Sequence, residues 1–157
     1  MRLAIIALAA LTLSSAEFVE RRDEPPVVSI EREVKRPALS PYAWAEAITG
    51  APATILQATA RTESDESDDA VGDGGVSRGR FQLNETYREW RVERYGDYDP
   101  HDPYGAAVIA GRIYVDNLAR LRDPTLAIAA HRQGAGGVER NGPTLWYVER
   151  VYRNLGM

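Results

Sequence analysis

Residues 55–83 read ILQATARTESDESDDAVGDGGVSRGRFQL, an amphipathic stretch that stops at Glu63 and passes into an acidic, glycine-rich loop running to Gly79, Phe81 and Gln82. Leu56, Ala60 and Glu63 fall at i, i+4 and i+7, so on a helix Glu63 shares a face with apolar side chains and stands at the mouth of a core. Partial burial there disfavours the charged form and raises the pKa, which suits a general acid working near neutral pH. Taken alone, a glutamate at a helix end is usually a solvated charge, so the rest of the chain must carry the reading.

Working outward, the punctuation is helical. Ser40-Pro41, Asp102-Pro103 and Asp123-Pro124 each pair a capping side chain with a proline suited to the first turn. Pro52 opens a helix over 53–63, Asn84 caps one that runs to Tyr95 and ends at Gly96, and Pro143 opens a closing helix over 144–154. The longest helix, 103–121, carries Ala107, Ala110, Ile113, Tyr114, Leu118 and Leu121 at spacings of three and four, a stripe that faces a core. No stretch alternates long enough for a sustained strand, though 73–82 has room for a short hairpin. The expected fold is therefore mainly α, with at most a small β-hairpin near the loop after Glu63.

The 157 residues suit one domain, here 41–157, preceded by two segments of different composition. Arg2, the apolar run 3–13 and the small residues Ser14, Ser15 and Ala16 predict a signal peptide over 1–16, with a buried first helix as the alternative. Residues 17–40 mix charges with Pro25, Pro26 and Pro37 and predict a tether. Export places the chain in a periplasmic or extracellular setting, without stable membrane insertion once the signal is removed.

With 19 basic and 23 acidic residues the chain is net −4, which argues against a nucleic-acid partner. The cluster Arg78, Arg80, Arg88, Arg91 and Arg94, interleaved with Phe81, Tyr87, Trp90 and Tyr95, reads better as a helix face whose arginines pair with Glu85, Glu89 and Glu93. Its aromatics stack on sugars or fill the core. The absence of cysteine excludes disulfides and thiolate chemistry. No P-loop, nucleophile elbow or H-E-x-x-H motif is present, and His101 and His131 are the two histidines. Asp65, Glu66, Asp68, Asp69 and Asp73 do not follow an EF-hand spacing, so neither metal nor cofactor is expected.

The ordered motifs then resemble a known family. Residues 61–83 resemble the first motif of soluble lytic transglycosylases and their goose-type lysozyme relatives, in which a helix ending in Glu-Ser leads through an Asn-Ala-Val-Gly-like turn (here Asp69-Ala70-Val71-Gly72) to a Ser-x-Gly-x-x-Gln segment (here Ser77, Gly79, Gln82). Residues 127–138, AIAAHRQGAGGV, resemble the family's Ala-Tyr-Asn-x-Gly-x-Gly-x-Val block, and 144–151 its final Thr-x-x-Tyr-Val-x-x-Val helix. The resemblance spans about residues 42–155 in the same order.

It implies a lysozyme-like helical domain, a monomer acting on peptidoglycan glycan strands, with Glu63 as the acid/base that protonates the leaving glycosidic oxygen. Ser64 would support that glutamate and Gln82 would line the cleft. Gly79 would let the chain approach the sugar, Gly134 and Gly136 would shape a loop, and Tyr147 would reach the cleft from the last helix. Taken alone, Ser64 is equally a helix cap, Tyr147 a core tyrosine and Gln82 a loop amide. His131-Arg132 departs from the family's Tyr-Asn pair: His131 offers a hydrogen bond whose charge depends on pH, and Arg132 a fixed cation that suits a muramic carboxylate or a peptide stem. Ordinary glycosidases use a carboxylate pair, whereas lytic transglycosylases by resemblance use one glutamate and the muramic 6-hydroxyl. A hydrolytic lysozyme would activate water, with Asp73 a candidate base. A silent wall-binding module is the alternative outside catalysis.

Overall fold

The computed structural model describes residues 38–157; the segment assigned to the signal peptide and nearly all of the tether lie outside them. Ser40 starts the first helix, α1 (Pro41–Thr49), with its Oγ accepting from the Ala43 amide at 3.2 Å. After Pro52 comes α2 (Ala53–Ser64), which stops because Asp65 and Glu66 turn into left-handed backbone at φ 57° and 65°. α3 (Arg88–Tyr95) follows a 3-10 turn capped by the Asn84 side chain. α4 (Pro103–Leu121) and α5 (Pro124–Gln133) start at the expected Asp-Pro steps, where Asp102 and Asp123 accept from the Gly105 and Leu126 amides at 2.8 and 2.9 Å. α7 (Leu145–Asn154) closes the chain.

Two features differ from the sequence expectation. In place of at most one hairpin there is a three-stranded antiparallel sheet of two-residue strands, β1 (Val71–Gly72), β2 (Ser77–Arg78) and β3 (Leu83–Asn84). Val71 pairs with Arg78, and Arg78 with Leu83. The third strand exists because Gly79 and Gln82, at φ +67° and +45°, reverse the chain a second time, with the Gln82 amide donating to the Gly79 carbonyl at 3.0 Å. The region of Gly134 and Gly136 is not an open loop: α6 (Ala135–Asn141) starts one residue after α5, and Gly136 is helical. Gly134 is the joint, held at φ 72° and ψ 153°.

α4 is the central element, packed against α1 on one side and α5 on the other, while α2 packs against α7. The contact faces are rich in alanine, among them Ala45, Ala58, Ala60, Ala107, Ala110 and Ala130, all buried, so the helix backbones approach closely. Phe81, Leu56, Tyr147 and Val151 fill the remaining volume. The α2–α7 contact sets the end of α2 beside Tyr147, and α5 delivers its last turn to the same place.

Candidate active site

Glu63 stands in the last turn of α2, followed by an acidic loop. Next to it Glu66 accepts from Arg61 Nε at 2.6 Å, from the Tyr42 hydroxyl at 2.8 Å and from Gln57 at 3.3 Å. Burial works to raise the Glu66 pKa, but those three hydrogen bonds outweigh it and hold the carboxyl below its usual value. Arg80 joins the cluster, donating to the Tyr42 hydroxyl at 2.8 Å and to Asp68 at 2.6 Å. Burial and the bond to Glu66 push the Tyr42 phenol well above its ordinary value. The acidic run after Glu63 is thus partly organised by cations, and the loop that bears it is fixed to α1 and α2.

On the other side the Glu63 carboxylate is 13% exposed and faces a cleft of about 1120 Å³, larger than the usual range for small-molecule pockets. Its Oε1 accepts from the Tyr147 hydroxyl at 2.6 Å. Tyr147 is buried, and burial followed by the charge of Glu63 and the bond to it drives its pKa well above the ordinary tyrosine value, so it remains a donor. His131 Nε2 lies 3.8 Å from the same oxygen and 3.1 Å from the Phe81 carbonyl. With its proton on Nε2 the ring donates to that carbonyl and packs on the Phe81 ring, centroids 6.3 Å apart. The glutamate therefore has one oxygen fixed by Tyr147 and sits in a half-enclosed wall.

No protein family, curated protein or solved structure matches this chain.

Of the residues singled out from sequence, Glu63, Gln82, His131, Arg132 and Gly134 line the cleft together. Gln82 Nε2 is committed to the Gly79 carbonyl at 2.9 Å, so the side chain lines the wall while bracing the loop. Tyr147 lies behind the cleft and meets it only through Glu63. Ser64 does not line it; its hydroxyl donates to the Arg80 carbonyl at 3.0 Å and ties the end of α2 to the loop. Gly79 also faces away, and its glycine is required by close backbone packing: a Cβ there would sit 1.9 Å from the Pro100 carbonyl oxygen. Gly136 is a helical position outside the lining.

Sequence reasoning left two cleft aromatics, Tyr87 and Trp90, without a settled role. They are 62% and 53% exposed and line the cleft, whereas Phe81 of the same cluster is fully buried. Their i, i+3 spacing was the available signal. The arginine pairing also differs from expectation. Arg91 and Arg88 do pair with Glu85, at 3.4 and 3.6 Å, but Arg88 also pairs with Asp97 at 2.9 Å, Arg94 pairs with Asp116 on α4 at 2.7 Å and Arg80 with Asp68, so Glu89 and Glu93 have no part in it. The partners lie across the fold, where sequence spacing does not reach.

Two further carboxylates, Asp73 and Asp116, line the cleft. Asp116 accepts from both Arg94 and the Tyr95 hydroxyl at 2.7 Å, and Asp73 accepts from Ser77 Oγ at 2.6 Å. Of the three, Asp116 alone is bonded to a cation, whereas Glu63 and Asp73 each accept from a hydroxyl, and Glu63 is the one set on an apolar helix face beside a buried tyrosine. Such an arrangement fits proton transfer by one buried acid beside an elongated ligand with aromatic stacking positions. Among the described residues no group of three or more His, Asp or Glu side chains gathers to hold a metal ion, and no helix is long and apolar enough to cross a membrane.

Proposed function

We propose that this chain is an exported enzyme of lysozyme-like fold that cleaves the MurNAc–GlcNAc β-1,4 bond of peptidoglycan, acting as a lytic transglycosylase with Glu63 as sole acid/base. The observation that carries the reading is the Glu63 carboxylate, 13% exposed at a cleft of about 1120 Å³ and fixed by the Tyr147 hydroxyl at 2.6 Å. The ordered motifs around Glu63, His131 and Tyr147 support it.

In this mechanism protonated Glu63 gives its proton to the glycosidic oxygen as the bond from muramic C1 breaks, and the GlcNAc hydroxyl leaves. The resulting carboxylate takes the proton of the muramic 6-hydroxyl as that oxygen closes on C1. The product ends in a 1,6-anhydro ring, no water is consumed, and Glu63 is again protonated. Tyr147 holds the carboxylate so that its other oxygen faces the scissile bond. Tyr87 and Trp90 offer faces for the sugar rings.

A hydrolytic route has one observation in its favour: Asp73 lines the same cleft and would serve as the base for water. Digestion of purified peptidoglycan with mass-spectrometric identification of the products tests both. Anhydromuramic ends establish the transglycosylase and reducing muramic ends the lysozyme, whereas bound but intact glycan across pH establishes a wall-binding module. Glu63→Gln is expected to lower turnover by about 10²–10⁴-fold while glycan binding persists; full activity in that variant would remove Glu63 from the mechanism.

A further inference from the structure

Among the arginines lining the cleft, Arg91 is paired with Glu85, Arg94 with Asp116 and Arg120 with Glu139. Arg132 differs. It is exposed in the last turn of α5 and has no acidic partner among the described residues. Its guanidinium lies 4.7 Å from the centroid of the Trp146 ring, and Trp146 is itself 53% exposed. The indole packs edge-on against Tyr147, centroids 5.9 Å apart at 85°, and Tyr147 bonds Glu63. A continuous line of contact therefore runs from the Arg132 cation to the reacting carboxylate.

Stacking on an indole has two effects on a guanidinium. It covers one face and restrains a flexible side chain, which reduces the entropy lost when a ligand binds. It also leaves the in-plane N–H fork free, the geometry that receives a carboxylate with two parallel hydrogen bonds. A cation left unpaired in an acidic chain and preoriented in this way is a receptor for an anionic group on the ligand.

Resting on the glycan-cleavage reading above, we propose that the Arg132–Trp146 pair is a carboxylate-recognition subsite that selects carboxylate-bearing glycans over neutral N-acetylglucosamine polymers. The carboxylate belongs either to the lactyl ether of a stem-free muramic residue or to the stem peptide. Arg132 acts on substrate choice, not on proton transfer.

The test measures binding and cleavage by the full chain, wild type and Arg132→Gln, on three soluble glycans: strands with stem peptides, strands stripped of stems, and chitin oligosaccharides. Wild type is expected to bind one or both carboxylate-bearing glycans about tenfold more tightly than chitin at low salt. The preference should shrink in 1 M salt, where the Debye length is about 3 Å. The stripped and stem-bearing arms identify which carboxylate is read. In Arg132→Gln the ratio should fall close to one, and Arg132→Lys should restore only part of it, because an ammonium lacks the fork. Equal binding of all three glycans by wild type, or a preference that survives Arg132→Gln, overturns the subsite and leaves glycan cleavage standing. Absence of both binding and cleavage of every glycan by folded wild type overturns the reading on which the subsite rests, and the subsite with it.

Discussion

At the residue scale the decisive contact is the 2.6 Å bond from Tyr147 to Glu63. A hydrogen bond to a charged group contributes about 1.5–3 kcal/mol, so its loss should be visible in the chemical step. Tyr147→Phe keeps the buried ring and removes the donor. We expect kcat to fall about tenfold to hundredfold with KM little changed; a change confined to KM would assign Tyr147 to ligand binding. Helix periodicity sets Glu63 on an apolar face, but it was the resemblance of the ordered motifs that singled out Glu63 and Tyr147 in the sequence. Ser64 and Gly79 lie outside the cleft lining for a common reason. Each sits close in sequence to a cleft-lining residue, Ser64 to Glu63 and Gly79 to Gln82, but makes its contact, to the Arg80 and Pro100 backbones, on the other side of the loop. Spacing along a chain does not say which side of a loop a residue faces.

At the scale of elements, Gly79 decides whether the small sheet can form. Gly79→Ala would force a Cβ onto the Pro100 carbonyl at positive φ, a backbone overlap that no side-chain rotation relieves. It should destabilise the fold by about 2–5 kcal/mol in urea titration; a loss under 1 kcal/mol would mean the Pro100 segment yields freely. α3, which carries Trp90, is fastened to α4 through Asp116, whose carboxylate accepts from Arg94 and Tyr95, and through Arg112, which donates to the Tyr95 carbonyl. The Arg94 side chain is exposed, so the ion pair is screened by solvent and adds little to global stability. Asp116→Asn should accordingly leave the thermal midpoint nearly unchanged, speed amide exchange in α3 and raise KM several-fold. Unchanged exchange there would show that α3 is held by its apolar residues. The capped helices were legible from their Asp-Pro and Ser-Pro steps. α6 was not, since Ala135-Gly136-Gly137 has poor helix propensity and is helical because Gly137 and Val138 are buried by the fold. The third strand depends on positive φ at Gln82, which a glutamine does not announce.

For the molecule as a whole, the buried tyrosines set its response to alkali. Burial first, then the bond to Asp116, pushes Tyr95 up to about 12, and burial also raises Tyr98, Tyr114, Tyr42 and Tyr147. A phenol with a raised folded pKa favours the fold as long as it is neutral. The stabilisation is therefore complete below pH 10, where the unfolded chain also keeps its phenolic protons. It is lost as pH climbs from 10 through 12. Urea midpoints should be flat from neutral pH up to 10 and fall steeply beyond it, together with a rise in tyrosinate absorbance; a midpoint indifferent to pH between 10 and 12 would contradict the burial of these hydroxyls. Glu66 and Asp116, both held low, act at the other end, adding stability that disappears as pH drops through the carboxylate range. The helical architecture was readable from the cap-and-proline punctuation and the periodicity of 103–121. The wiring between Tyr42, Glu66 and Arg80 was not, because Tyr42 stands 24 and 38 residues from its partners.

That wiring gives the start of α1 an influence on the cleft it never touches. Tyr42 is two residues past the Ser40 cap and braces the loop behind Glu63, while the neighbouring Leu39 carbonyl accepts from Tyr104 at 3.1 Å. A protease that nicked the chain just after Tyr42 would release the brace and loosen the loop, leaving every cleft residue intact. The first turn of α1 is thus a place where one cut would unfasten the loop behind Glu63 from a distance.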